Sequence, residues 1–115
     1  TEGVEVAPGL KRLDERLPWP LPPAPTLPGP ADVVRWREGR REREATGAAL
    51  VGVDLETTGL SLGVGTRVFL AGIVRFDGSG WRLSQWLLTD PAAEARLIHA
   101  VIAELPQAPV WLSYN

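Results

Sequence analysis

Two carboxylates one residue apart, Asp54 and Glu56, close the apolar run Val51-Gly52-Val53-Asp54-Leu55-Glu56-Thr57-Thr58-Gly59. If the run is a strand, its side chains alternate between faces. Val51, Val53 and Leu55 then share one face, and Gly52, Asp54 and Glu56 share the other. At about 3.3 Å of rise per residue the two acids stand roughly 6.6 Å apart on that face, and charges so placed repel unless a cation sits between them. No basic residue occurs between Leu50 and Leu62. A hard divalent ion with oxygen ligands, Mg²⁺ or Mn²⁺, is the natural partner, and carboxylate-bound ions of this kind serve phosphodiester cleavage. An acidic pair at i and i+2 also occurs on plain solvated strands, so the residues alone leave a metal site and a bare surface both open.

The elements that must position this pair begin at about Ala48. Leu50 to Glu56 reads as a strand, and Arg67-Val68-Phe69-Leu70-Ala71-Gly72-Ile73-Val74-Arg75-Phe76 as a buried central one. Asp77-Gly78-Ser79-Gly80 supplies hairpin turn chemistry, and Trp81 to Leu88 returns with Arg82, Ser84 and Trp86 facing away from Trp81, Leu83, Gln85 and Leu87. Asp90-Pro91 opens a helix, with Asp90 as cap and Pro91 at the first helical position. Glu94 suits its dipole, and Leu97, Ile98, Val101, Ile102 and Leu105 form an apolar stripe, with His99 on the surface. Pro106 ends the helix before a last strand at 109–114. The order predicts an α/β fold: three antiparallel strands, a helical crossover, and a further parallel strand.

Composition sets bounds on what surrounds this unit. Eight of the eleven prolines lie between Pro8 and Pro30, so residues 1–30 read as an extended Pro-rich linker. Pro20-Leu21-Pro22-Pro23 and Pro22-Pro23-Ala24-Pro25 satisfy P-x-x-P spacing, which leaves open a partner for the tract. Residues 31–47, with Asp32 as cap and charges from Arg35 to Glu44, read as a short exposed helix. Five arginines near Trp36 could there form a nucleic-acid face, though four acids among them oppose it. Residues 48–115 hold the fold.

The net charge is −2, with eleven Arg to one Lys, so bulk electrostatics do not mark a nucleic-acid binder and any such contact must be local. No cysteine is present, which excludes disulfides and thiolate metal sites. No apolar run is long enough for a membrane span, and no secretory signal pattern opens the chain, so a cytoplasmic protein without membrane contact is the expectation. Gly63-x-Gly65 lacks the Lys-Ser/Thr of a P-loop and the spacing of a dinucleotide fingerprint, and reads as a flexible connection.

Val53-Asp54-Leu55-Glu56-Thr57-Thr58-Gly59-Leu60 resembles the first motif of the DEDD 3′–5′ exonuclease superfamily, built on the ribonuclease H-like fold. The continuation from Gly59 to Gly72, the Trp-bearing third strand, Asp90-Pro91 and Tyr114-Asn115 resemble its YprB-type branch, a predicted exonuclease family. The resemblance covers residues 48–115. It implies a ribonuclease H-like mixed sheet, truncated at its C-terminal end, and a nuclease that hydrolyses phosphodiester bonds at the 3′ end of DNA or RNA. Asp54 and Glu56 are then the first two of four acidic ligands for two Mg²⁺ or Mn²⁺ ions, with Thr57 and Thr58 beside the terminal nucleotide. Asn115 matches the asparagine that opens the second motif. The other two acids have no counterpart in this chain, so the pair alone should bind metal weakly and cut nothing. The alternative is a non-catalytic nucleic-acid-binding or protein-interaction module on the same fold.

Overall fold

A computed structural model of the chain describes residues 3–17, 30–58, 67–77 and 80–113. Eight strands and one helix follow in chain order: β1 (Val4–Ala7), β2 (Leu10–Arg16), β3 (Val33–Glu38), β4 (Arg41–Thr46), β5 (Leu50–Thr57), β6 (Val68–Phe76), β7 (Trp81–Leu88), α1 (Glu94–Ala103) and β8 (Val110–Leu112). Six strands form one sheet in the order β1-β2-β7-β6-β5-β8, and β3 and β4 pair separately. Within the large sheet β5–β8 is parallel, whereas the other pairs are antiparallel. The α/β architecture and its mixed sheet are those the sequence predicts for 48–113.

α1 begins as expected. Asp90 accepts a hydrogen bond from the Ala92 amide at 3.0 Å, Pro91 follows it, and one 3₁₀ turn leads into the α-helix. The helix lies across β6 and β7 and buries Leu97 against Leu10, Val51, Ala71, Ile73 and Trp86, with Val101 and Leu105 packed at the margin. The apolar stripe is wider than the contact it makes. Ile98 and Ile102 fall on its outer side and stay exposed, as does His99.

Two expectations fail, each for a definable reason. Residues 3–17 are not a linker but a ribbon, β1–β2, that extends the sheet alongside β7 and contributes Leu10, 1% exposed, to the core. Its proline occupies a turn, the one place in a ribbon where proline is harmless. Ala7 pairs with Leu10 across Pro8-Gly9, and Gly9 takes φ +78°, the left-handed value that the third position of a type II turn requires. The Pro-rich stretch from 18 to 29 lies outside the described residues.

Residues 31–47 are not a helix but a hairpin. As a helix, Arg37 would face Arg41 and Glu38 would face Glu42, four residues on. In the hairpin the register instead sets Arg35 opposite Glu44, Arg37 opposite Glu42 and Glu38 opposite Arg41, so every directly opposed charge pair is attractive. Gly39, at φ +61°, starts the two-residue loop. Gly47 and Ala48 amides close the base on the carbonyls of Asp32 and Pro30, at 2.9 and 3.1 Å.

The face of the large sheet that carries α1 also holds an ionic network. Glu104, at the helix C-terminus, accepts from Arg12 at 2.6 Å and from Arg75 at 2.9 Å. Asp14 accepts from Arg12 at 2.9 Å and from the buried Ser84 hydroxyl at 2.6 Å. A carboxylate at a helix C-terminus opposes the dipole, and here two guanidinium groups offset it. Burial pushes the Asp14 and Glu104 carboxyls up, but hydrogen bonds from Arg12, with Ser84 for one and Arg75 for the other, outweigh it and hold both below the ordinary range.

Candidate metal centre

β5 puts the acids where strand alternation demands. Val51 and Val53 turn toward α1, while Gly52, Asp54 and Glu56 turn to the opposite face. There they line an open trough of about 480 Å³ with Leu70, Gly72 and Gln85 among its other walls. The register explains the space. Asp54 pairs with Gly72, and Gly72 with Gln85, so the strand beside Asp54 presents no side chain and the next polar group on that row is the Gln85 amide. Two strand spacings, roughly 9.6 Å, separate those rows, room for a hydrated cation between carboxylate and amide. A methyl group at Gly72 would meet the Gln85 side chain at 3.7 Å and the Asp54 carbonyl oxygen at 3.9 Å, both ordinary contacts, so no tight backbone approach requires glycine there.

Asp54 and Glu56 are both exposed, and neither enters an ion pair or side-chain hydrogen bond among the described residues. Their environment contrasts with that of Asp14 and Glu104, which are satisfied by arginines. Unpaired acids in a trough with an amide opposite suit a hard, oxygen-liking cation in donor type. They do not complete such a site, because no group of three or more His, Cys, Asp or Glu side chains able to hold a metal occurs among the described residues.

The other sequence candidates separate. Thr58 brackets the end of the β5–β6 pair: its amide donates to the Arg67 carbonyl at 2.9 Å, and its hydroxyl accepts from the Arg67 amide at 3.1 Å. It thus fixes the chain just beyond Glu56 and keeps its hydroxyl hydrogen. Thr57 pairs with Val68 beyond a register shift after Glu56, and Val68 packs toward the core, so Thr57 belongs to the α1 side and not to the acid row. Asn115 lies outside the described residues, as do the Gly59–Thr66 connection and Gly63-x-Gly65.

Sequence reasoning passes over Gly72 and Gln85. Gln85 leaves a signal, a polar residue between Leu83 and Leu87 on an otherwise apolar row, but only the three-strand register connects it to Asp54. Arg67 is a second omission. Its guanidinium donates to the Pro91 carbonyl at 3.3 Å, placing a cation one strand over from Thr58, beside a recess that Phe69 and Thr89 also line.

Among protein families, the model described as RNase H superfamily matches residues 51–115, more than half of the chain and a span that includes both acids. No curated protein and no solved structure matches.

Proposed function

Since the chain belongs to the RNase H superfamily, we propose that the trough is half of a metal-dependent nuclease site and that the complete protein removes nucleotides from 3′ ends. The observation that carries this reading is the Asp54–Glu56 row, without an ion-pair partner among the described residues, in a trough where Asp54 faces the bare Gly72 position on the sheet face opposite α1. Asp54 and Glu56 would hold the Mg²⁺ or Mn²⁺ ions together with two further acids, as the DEDD and YprB-type resemblance implies. When bound, such ions supply an activated water and neutralise charge at the phosphodiester. The chain's own part is to set the two carboxylates on one rigid row, to keep Gly72 clear for the substrate, and to fix the end of β5 through the Thr58–Arg67 bracket.

Two measurements test this. Mn²⁺ added to the chain should broaden the resonances of Asp54, Glu56 and their neighbours with an affinity on the order of 1 mM, the range of weak carboxylate sites. Asp54→Asn should abolish the broadening, and broadening that persists elsewhere would remove the pair from the site. In the protein that carries the two remaining acids, Mg²⁺-dependent loss of 3′ nucleotides should vanish with the same substitution. The alternative, a non-catalytic binding module, draws on the absence of a third ligand among the described residues. It is favoured if the completed protein binds nucleic acid with chelator present and does not hydrolyse it.

A further inference from the structure

The β3–β4 hairpin plays no part in the trough, and its two faces carry unequal balances of charge. Alternation places Arg35, Arg37, Glu42 and Glu44 on one face, where Arg35 and Glu44 pair at 3.2 Å. The other face carries Trp36 opposite Arg43, and Glu38 opposite Arg41. Arg37, Arg40 and Arg41 form no ion pair among the described residues, and Arg43 reaches Glu38 only at 3.7 Å, with both side chains largely in solvent. From Arg37 to Arg43 there are four arginines and two glutamates, so this tip is positive by two in a chain of net charge −2. The hairpin therefore concentrates cations and an aromatic ring on a short arm while the body of the chain is acidic.

Connectivity sets where the arm stands. Its base runs through 47–49 directly into Leu50, the first residue of β5, whereas Glu56 lies near the other end of that strand. Six strand steps, roughly 20 Å, separate the two, which corresponds to about six stacked nucleotides at 3.4 Å each. We propose that the β3–β4 arm is an upstream clamp for single-stranded nucleic acid, gripping backbone phosphates with Arg40, Arg41 and Arg43 and a base with Trp36, the foot of the arm standing about six nucleotides from the 3′ end. This rests on the nuclease reading for the position of that end. The chemistry is phosphate neutralisation and stacking, without base-edge readout, so it predicts tolerance of sequence.

The test uses the full chain and deoxythymidine 20-mers. Each arginine that neutralises a phosphate contributes about 0.7 to the slope of log affinity against log salt on single strands, so replacing Arg40, Arg41 and Arg43 with Gln should lower that slope by about 2. Replacing the same three with Lys should preserve it, which separates lost charge from a misfolded arm. An unchanged slope in the Gln variant would overturn the proposal and leave the arm as a surface for a protein partner. A photoreactive 4-thiothymidine walked along the 20-mer should crosslink to residues 33–46 most strongly at internal positions, upstream of the 3′-terminal nucleotides. Strongest crosslinking at the terminal nucleotide, or equal crosslinking everywhere, would overturn it as well. The salt slope does not depend on where the 3′ end sits, and the nuclease reading is tested apart from it by Mn²⁺ broadening at Asp54 and Glu56, so a failure of that reading shows as absent broadening while the slope still falls in the Gln variant.

Discussion

The two faces of the large sheet are built from the same strands and do opposite things. Facing α1, Trp86, Ile73, Val51 and Leu97 are buried, and the carboxylates of Asp14 and Glu104 are each held by arginines. Facing the trough, Asp54 and Glu56 stand exposed beside Gly52 and Gly72, with no ion pair among the described residues. A carboxylate tied to arginine contributes to folding, whereas one left without a counter-charge in a concave surface is poised for a ligand. The two faces thus separate carboxylates that arginines hold in the fold from carboxylates without such a partner among the described residues, and substitutions can break that separation.

The largest effect belongs to the packed face. Trp86 is fully buried, and the Arg12 guanidinium lies 5.0 Å from its ring centroid. Trp86→Ala should cost about 3–5 kcal/mol in urea unfolding, the range for deleting a buried aromatic. A cost below 1 kcal/mol would mean that the α1 face is not the core.

Next comes the ribbon that the sequence conceals. The Gly9 carbonyl accepts from the Thr89 amide at 2.9 Å, and a Cβ at Gly9 would lie 2.8 Å from the Asp90 Cβ. Gly9→Ala therefore combines a left-handed φ with a steric clash, and about 3 kcal/mol is expected from the two together. A negligible change would detach the ribbon from the start of α1.

Glu104→Gln leaves Arg12 and Arg75 facing a neutral amide, and a loss of about 2 kcal/mol is expected from two charge-assisted hydrogen bonds that weaken without vanishing. The pH dependence has a definite sign. Asp14 and Glu104 have folded pKa values below their unfolded ones, so their contribution is full above the ordinary carboxylate range near about 4 and is lost as pH falls through the lowered values. Stability should fall on that acid limb, and Glu104→Gln should flatten it. An acid limb unchanged in the variant would show that Glu104 does not contribute to it.

How much of this was legible in the sequence depends on the range over which each signal acts. Asp54 and Glu56 share a face because strand alternation is local, and Asp90-Pro91 announces α1 within two residues. The β1–β2 ribbon was hidden because eight prolines weighed together obscured the fact that Pro8 sits in a turn. The β3–β4 hairpin was hidden because its charges match as cross-strand pairs centred on the Gly39-Arg40 loop, a pattern that a helical spacing test reads as cancelling repulsion and attraction. Gln85 could not be joined to Asp54 at all without the register of β5, β6 and β7. Local geometry is written locally, and pairing between distant strands is not.

The smallest expected effect on stability is the most informative about the site. Asp54 is exposed and has no partner to lose among the described residues, and it stands roughly 6.6 Å along the strand from Glu56, where two like charges in water repel by about 0.6 kcal/mol before salt screening. Asp54→Asn should therefore leave stability unchanged or raise it by a few tenths of a kcal/mol, while abolishing Mn²⁺ broadening. Structural acids behave in the opposite way, since Glu104→Gln destabilises and should leave Mn²⁺ binding at the trough intact. A loss of more than about 1 kcal/mol in Asp54→Asn would place Asp54 with Glu104 among the acids that hold the fold, and the distinction between the two faces would fail.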